Sequence, residues 1–189
     1  MPTSIRPMTE ADIPRLAEIR PGFTSETALT VERTGSGIEV GWRLVERPLP
    51  RPFDKGRAYD FDETEQSHIR RRLLRGDGLH LVAEQQDRLV GVLDVTPHDW
   101  NNTAWIWNIM LDVAVRRQGL GRDLFGRAAD WAHRQGFRAL MLETQTNNVP
   151  ACKFYARIGC QLDGIRESFY SNNDMRRGEV ALFWRYDLV

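Results

Sequence analysis

Residues 105–160 carry the clearest pattern of hydrophobic and polar positions in this chain. Residues 105–115 are apolar, β-branched or aromatic apart from Asn108 and Asp112, which is typical of a largely buried strand. Apolar residues at helical spacing follow, up to the candidate C-cap Gly136: Leu124, Phe125, Ala128, Ala129 and Ala132. The pattern therefore predicts a strand that leads through a short basic turn into a helix.

The second half of this stretch repeats the same order. Residues 138–144 predict another strand, and Asn148 and Pro150 mark the start of a second helix that ends at Gly159. One face of that helix is apolar: Ala151, Phe154, Tyr155 and Ile158. Strands that alternate with helices favour parallel pairing through a right-handed crossover.

The remaining segments predict an antiparallel extension of this sheet. Strands are expected at residues 3–8, 79–84, 89–96, 161–170 and 179–187. Helices are expected after Thr9 and through Ile69, whereas residues 21–58 read as loops with one candidate strand at 38–45. We therefore predict the α/β class, with a mixed central β-sheet, helices on both faces, and a single domain over residues 1–189.

The turn between the first strand and its helix has the character of an anion site. The first turn of a helix leaves backbone N–H groups unpaired at the positive end of the helix dipole. Gly119 and Gly121 let a phosphate approach the backbone, and Arg116, Arg117 and Arg122 add positive charge. The spacing fits neither the dinucleotide fingerprint nor the P-loop. A solvated turn without a ligand is the alternative interpretation.

Two motifs in this stretch resemble those of the GCN5-related N-acetyltransferases (the GNAT family). Arg116-x-x-Gly119-x-Gly121 is similar to the acyl-CoA signature, and the run from Asn148 to Gly159 is similar to the second cofactor motif. Residues 141–155 and 179–184 resemble the streptothricin acetyltransferases within that family. Family members carry several residues between the central strand and the signature arginine, whereas here Arg116 directly follows the predicted strand.

The resemblance implies acetyl-CoA as the acetyl donor and a set of residues that contact it. Backbone groups of Val113 and Val115 would pair with the pantetheine arm, and the Asn148 amide would hold that arm unless it only caps its helix. The full set of implied contacts is Val113, Val115, Arg116, Arg117, Gln118, Gly119, Leu120, Gly121, Arg122, Asn148 and Tyr155.

Catalysis of acetyl transfer needs an acid for the leaving thiolate and a group that handles the amine proton. By resemblance Tyr155 is the acid, with a core tyrosine as the alternative. For the amine, Asp112 is the first candidate because it adjoins the predicted acetyl position, and Glu143 is the second. A structural ion pair is the alternative for both carboxylates.

The acceptor implied by the resemblance is a primary amine of a small cationic molecule such as streptothricin, which would make antibiotic resistance the role. Protein amino groups (N-terminal or lysine), or a non-catalytic CoA-binding module, are the alternatives. Residues 54–65 contain five acidic and two basic residues. These acids either attract a cationic acceptor or complement a helix dipole.

Composition narrows the partners further. Lys+Arg and Asp+Glu both number 26, so the formal net charge of zero gives no reason to expect nucleic acid as a partner. No signal pattern or membrane-length apolar run is visible, so we expect a cytoplasmic protein without a membrane partner, and a homodimer is compatible with this class. Cys152 and Cys160 lack metal-ligand spacing and are expected to be reduced structural residues, without a metal site.

Overall fold

The computed structural model describes residues 3–188 of the chain. The strands are β1 Ser4–Pro7, β2 Thr24–Thr34, β3 Gly41–Asp54, β4 Leu79–Gln85, β5 Arg88–His98, β6 Thr103–Leu111, β7 Ala139–Gln145, β8 Gln161–Arg166 and β9 Ala181–Asp187. The α-helices are α1 Glu63–Arg75, α2 Leu120–Arg134, α3 Val149–Arg157 and α4 Asp174–Arg177. None of the helices described is long and apolar enough to cross a membrane.

The chain forms two compact units. The first comprises the residues up to Gly22, Lys55–Met141 and the residues from Asp187 onward. The second comprises Phe23–Asp54 and Leu142–Tyr186. Each unit is therefore assembled from segments that are distant in sequence.

The first unit is built on an antiparallel sheet in the order β1, β4, β5, β6. Gln86 and Asp87 form the turn between β4 and β5, and both have positive φ, the conformation that two-residue hairpins of type I′ require. Packed apolar side chains form its core: Met8, Ile13, Leu16, Ile19, Phe61, Ile69, Val82, Leu89 and Val92. The predicted hairpin and the helix through Ile69 are both present.

The helix expected after Thr9 is replaced by two 3₁₀ turns, Glu10–Asp12 and Pro14–Glu18. A proline inside an α-helix removes a backbone hydrogen bond and clashes with the preceding turn, so Pro14 begins a new turn instead. The N-terminal signal itself is confirmed, because Thr9 and Asp12 form a capping box. Ile13, Leu16 and Ile19 are still directed into the core.

The expectation of loops at residues 21–58 is wrong for most of that range. In the second unit β2 and β3 pair as a long antiparallel hairpin, with Thr34 opposite Gly41 and Thr24 opposite Asp54. The prolines at 48, 50 and 52 argued against a strand, but proline is tolerated at an edge and beside a bulge. The pairing does shift register between Ser25 and Thr27, next to this proline-rich segment.

Beyond α3, the second unit contains β8 paired antiparallel with β9. The strand expected at residues 161–170 stops at Arg166, because Phe169 to Asn173 form a loop that leads into the short helix α4. Gly159 has a φ of 100° and ends α3 in the left-handed conformation that was expected of it.

Candidate active site

The phosphate turn predicted from sequence lies in the first unit, between β6 and α2. Arg117 has a φ of 63° and Gly119 has a φ of 94°, so both adopt the left-handed conformation before α2 begins at Leu120. The Gly119 carbonyl accepts from the N–H groups of Arg122 (2.9 Å) and Asp123 (3.1 Å). The N–H groups of Leu120 and Gly121 come before the first N–H groups that are bonded within the helix, so they have no acceptor in it. Unpaired N–H groups at the start of a helix form an anion-binding site.

The outer face of this turn is open. A Cβ placed on Gly119 would meet nothing within 4 Å, so its φ, rather than lack of space, requires glycine at this position. Arg117, Gln118 and Arg122 are exposed around it. An anion therefore has both backbone donors and two guanidinium groups within reach of the same turn.

Arg116 does not face this open side. Its guanidinium donates to the carbonyl oxygens of Pro21 (2.6 Å) and Leu111 (3.0 Å). Burial lowers its pKa, and the negative charge of Asp112 opposes that shift. The signature arginine thus links the end of β6 to the segment before β2. Its hydrogen bonds are made to the protein's own carbonyl oxygens, so a contact between Arg116 and the phosphate stays a prediction.

The strand expected over residues 105–115 ends earlier, at Leu111. Val113–Val115 form a 3₁₀ turn that Asp112 caps by accepting from the Ala114 N–H. The apparent departure from the family is therefore removed, because four residues (112–115) separate the strand from Arg116. The N–H groups of Val113 and Val115 are already bonded to the carbonyls of Arg20 and Asp112, so pairing of this segment with a ligand stays a prediction for its carbonyl oxygens.

Asp112 is 2% exposed and its carboxylate is surrounded by donors from the protein. It accepts from the backbone N–H groups of Arg20 (3.2 Å) and Ala114 (2.9 Å), and it forms an ion pair with Arg88. A cleft of about 450 Å³ lies beside it, with Arg20 and Arg88 in its lining. These contacts favour the structural role over that of a base.

Glu143 lies in the second unit, on β7, and is half-buried. Its carboxylate accepts a hydrogen bond from the hydroxyl of Tyr170, in the loop after β8. Glu143 therefore bonds to a tyrosine hydroxyl, whereas Asp112 bonds to two backbone N–H groups and to an arginine.

The second cofactor motif forms the start of α3. The Asn148 side-chain oxygen accepts from the Ala151 N–H at 3.3 Å, so the expected cap is present and the amide nitrogen is the group that could donate to a pantetheine carbonyl. Tyr155 is 7% exposed and its ring packs 5.4 Å from Phe154 and 6.1 Å from Trp184. The tyrosine is thus held in place by aromatic neighbours within the same unit.

The two cysteines behave as buried thiols. Burial raises the pKa of Cys152 to about 12, and it also raises that of Cys160 to about 12. A thiol with such a pKa is a poor nucleophile and a poor metal ligand at neutral pH. Both residues are free cysteines, as expected.

The acidic stretch before α1 is largely committed to structure. Asp62 caps α1 by accepting from the Glu65 N–H at 2.8 Å, and Asp60 pairs with Arg57. Glu65 accepts from Arg72 at 3.1 Å and from Asn108 at 2.8 Å. Of the two interpretations left open by the sequence, these contacts favour acids that complement a helix terminus.

Comparison with known proteins supplies the decisive observation. The profile of the "Acetyltransferase (GNAT) family" matches residues 42–160, which include the turn and the start of α3. The chain belongs to the GNAT acetyltransferase family.

Two curated GNAT relatives match most of the chain. The streptothricin acetyltransferase of Escherichia coli is 36% identical over 162 residues, 86% of this chain and 83% of that protein. Streptothricin acetyltransferase A of Bacillus subtilis (strain 168) is 30% identical over 145 residues, 77% of this chain and 79% of that protein. The resemblance noted from the motifs is confirmed.

Solved structures agree with these relatives. A nourseothricin acetyltransferase matches with a TM-score of 0.81 at 26% identity, covering 100% of both chains. A Bacillus anthracis str. Ames protein, described as a streptothricin acetyltransferase in complex with acetyl coenzyme A, matches with a TM-score of 0.76 at 25% identity, covering 98% of this chain and 99% of that one. The expected α/β fold, with a mixed sheet flanked by helices, is confirmed, and the protein is a GNAT N-acetyltransferase that uses acetyl-CoA.

The residues present suit this donor. The turn at Gly119 is open and has a left-handed φ, features that fit an anionic group such as a pyrophosphate. Asn147, which is 6% exposed, has a buried side-chain oxygen with no hydrogen-bond partner among the residues that the structure describes. Such an atom is rare in a folded protein without a ligand or water to satisfy it. No cluster of three or more potential metal ligands occurs within residues 3–188.

Sequence reasoning missed Asn147 and Tyr170. Asn147 stands beside the motif residue Asn148, and its isolation becomes visible only when the burial of its side chain is known. Tyr170 was placed within a predicted strand, although the pair Phe169 and Tyr170 between polar residues is a signal of exposed aromatic side chains.

Proposed function

We propose that the acetyl acceptor is a primary amine of a small, multiply charged molecule of the streptothricin class, and that acetylation of such an antibiotic confers resistance. The support comes from relatives named streptothricin acetyltransferases that are 30% and 36% identical over most of the chain. Glu143, a half-buried carboxylate in the second unit, carries the negative charge that would attract an ammonium group.

In the proposed reaction the bound ammonium first releases one proton to solvent, and the resulting neutral amine attacks the thioester carbonyl carbon of acetyl-CoA. The N–C bond forms, the C–S bond breaks, and two protons are transferred. Tyr155 donates its hydroxyl proton to the leaving sulfur, and Glu143 receives or relays to water the proton that the amine loses. The proton taken up by Glu143 returns to Tyr155 through solvent, so that the enzyme is restored and coenzyme A leaves as the thiol.

Glu143 is preferred over Asp112 for this role. The Asp112 carboxylate accepts two backbone N–H groups and pairs with Arg88, so protonating it would break contacts that hold the end of β6. Glu143 lies on β7, two residues before its last residue Gln145, and its carboxylate accepts a hydrogen bond from the hydroxyl of Tyr170.

Binding of acetyl-CoA is assigned to separate groups of residues. The N–H groups at the start of α2, with Arg117 and Arg122, would hold the pyrophosphate. The side-chain amides of Asn147 and Asn148 would hold the amide-bearing pantetheine arm. The N–H groups of Val113 and Val115 are bonded within the protein. Their carbonyl oxygens are therefore the backbone groups that would accept hydrogen bonds from the pantetheine amides.

A thiol-release assay with acetyl-CoA tests the proposal against a panel of amines. The panel contains streptothricin, spermidine, lysine amide and a peptide with an N-terminal alanine, because ribosomal-protein alanine N-acetyltransferases are among the weaker relatives. We expect the highest kcat/KM for streptothricin, and mass spectrometry should show one added acetyl group on its β-lysine amine.

The same assay distinguishes the alternatives. A clear preference for the peptide would replace the proposal with protein acetylation, and binding of acetyl-CoA without turnover on any amine would favour the non-catalytic module. Added salt should lower kcat/KM for streptothricin more than for a neutral amine, because exposed charges are screened over about 8 to 10 Å. Growth of cells that express the protein on streptothricin tests resistance itself.

A further inference from the structure

The loop between β8 and α4 brings a tyrosine onto the candidate acceptor carboxylate. The hydroxyl of Tyr170 donates to Glu143, although the two residues are 27 positions apart. Tyr170 is 43% exposed, so its ring faces solvent while its hydroxyl is directed at the carboxylate. The Tyr170 hydroxyl is therefore bonded to a protein carboxylate, although its ring is exposed.

The backbone that carries Tyr170 is held by a buried acid. Asp174 is 2% exposed and accepts from the Tyr170 N–H at 2.8 Å and from the Ser171 hydroxyl at 2.6 Å. Burial by itself would raise the pKa of Asp174, but these hydrogen bonds outweigh it and the pKa is lowered. The carboxylate therefore stays ionised at neutral pH and accepts both hydrogen bonds from the loop.

The aromatic neighbours of Tyr170 complete the support. The ring of Phe169 packs edge-on against Tyr170 at 5.2 Å and against Phe183 at 5.3 Å, and the Arg166 guanidinium lies 4.9 Å from the Phe169 ring centre. Glu167 accepts from the Trp42 indole N–H at 2.7 Å, which ties the loop to the β2–β3 hairpin. Both ends of the loop are thus fixed within the second unit.

We propose that Tyr170 and Glu143 form the subsite for the acceptor's ammonium group, in which the phenol positions the carboxylate and its ring provides the adjoining face. A carboxylate beside an exposed aromatic ring is a recognised environment for organic cations. The hydrogen bond from Tyr170 to one oxygen of Glu143 restricts rotation of the carboxylate group. The ammonium group of the acceptor would then meet the carboxylate in one orientation. The inference rests on the proposed role of Glu143 as the carboxylate that meets the amine.

The position of this pair also defines the ligand class. A carboxylate repels an anionic acceptor and offers a neutral one only a weaker hydrogen bond. A primary ammonium can donate to the carboxylate and also lie against the phenol ring. Tyr170 is therefore a positioning and specificity residue for cationic amines, and not a proton donor to the sulfur, the role proposed for Tyr155.

A double-mutant cycle between Tyr170→Phe and Glu143→Gln tests this subsite with the complete protein. Tyr170→Phe should raise KM for streptothricin about tenfold, the order expected for one hydrogen bond to a charged group, with KM for acetyl-CoA unchanged. In the Glu143→Gln background the same change should have little further effect, because Tyr170 acts through the carboxylate. Tyr186→Phe, which removes a hydroxyl from β9, is the matched control and should retain wild-type constants.

A second readout does not depend on turnover. Calorimetric titration of lysine amide into the CoA-bound protein should show weaker binding for Tyr170→Phe and still weaker binding for Tyr170→Leu, which also loses the ring. Wild-type KM and binding in Tyr170→Phe would overturn the inference, and so would an equal loss in both Glu143 backgrounds. Absence of acetyl transfer by the wild-type protein would instead count against the proposed function, while the titration would still decide whether the pair binds the cation.

Discussion

The Arg116 guanidinium donates to the carbonyl oxygen of Leu111, the last residue of β6, at 3.0 Å. The same side chain donates to the Pro21 carbonyl at 2.6 Å. A guanidinium carries several N–H donors and a full charge, so one side chain can satisfy both carbonyl oxygens at once. The arginine of the cofactor signature thus holds the turn in place, while the exposed Arg117 and Arg122 present their charge outward.

This division of roles predicts opposite outcomes for two arginine-to-alanine variants. Arg116→Ala should lower the free energy of unfolding by about 1–3 kcal/mol, since buried acceptors lose a charged donor. Arg122→Ala should change stability by less than about 0.5 kcal/mol but weaken acetyl-CoA binding by about tenfold. Urea denaturation and calorimetry measure the two quantities. Equal losses of affinity with unchanged stability in both variants would show that Arg116 contacts the phosphate after all.

Gly121→Asp tests the turn itself. An aspartate at the second residue of α2 suits the helix dipole, so the fold should persist, but its charge would occupy the region assigned to the pyrophosphate. We expect acetyl-CoA binding to fall below detection by calorimetry while circular dichroism is unchanged. Gly126→Asp adds the same charge further along the same helix and should bind normally. Normal binding by a folded Gly121→Asp protein would exclude this turn as the phosphate site.

Tyr155→Phe isolates the hydroxyl that we assign as the acid. General acid catalysis is typically worth about 10²- to 10⁴-fold, so kcat should fall by about that factor with little change in KM for acetyl-CoA. The ring contacts with Phe154 and Trp184 are preserved, and thermal stability should stay close to the wild type. Tyr186→Phe serves as the comparison. A variant that turns over at the wild-type rate across pH would leave Tyr155 with a packing role alone.

Local signals were sufficient for much of this fold. Capping residues, periodic apolar positions and terminal glycines predicted α1, α2, α3 and the β4–β5 hairpin, because each is specified by neighbours in the sequence. The end of β6 was misjudged because Val113 and Val115 are β-branched residues typical of strands. What ends the strand is the cap formed by Asp112, whose bonds to Arg20 and Arg88 join distant segments.

The candidate site shows the same limit. The glycines of the turn and the start of α3 are contiguous motifs and could be recognised directly. The partner of Glu143 could not be, since Tyr170 follows it by 27 residues and reaches it only through the loop that Asp174 fixes. Contacts of this kind depend on how strands are ordered in space, which periodicity does not encode.

The capping box at the N-terminus predicts how stability responds to acid. Asp12 is buried and accepts two hydrogen bonds from Arg6, at 2.7 and 2.8 Å, and others from Thr9, which lower its pKa. A lowered folded pKa means that this stability is complete well above the unfolded value of about 3.9 and is lost as pH falls through and below it. Asp12→Asn should therefore cost about 1–3 kcal/mol at pH 7 and progressively less below pH 4. Urea denaturation of the wild type and the variant at pH 7 and below pH 4 measures the difference in the free energy of unfolding. A difference that does not change with pH would contradict the prediction.

The two candidate carboxylates should separate stability from catalysis. Asp112→Ala removes a cap and the ion pair with Arg88, so it should lower the free energy of unfolding by about 1–2 kcal/mol, the upper range for a lost cap. Its kcat per folded molecule should stay within a few-fold of wild type. Glu143→Gln keeps shape and the capacity to accept from Tyr170, so stability should hold, while kcat/KM for a cationic amine falls by about 10²-fold or more, as expected for loss of a group that assists proton removal. Steady-state kinetics at saturating acetyl-CoA, with folded protein quantified by denaturation, compares the two directly. If the Asp112 variant is the inactive one and the Glu143 variant is not, the amine proton passes to Asp112 and the acceptor subsite assigned to Glu143 must be abandoned.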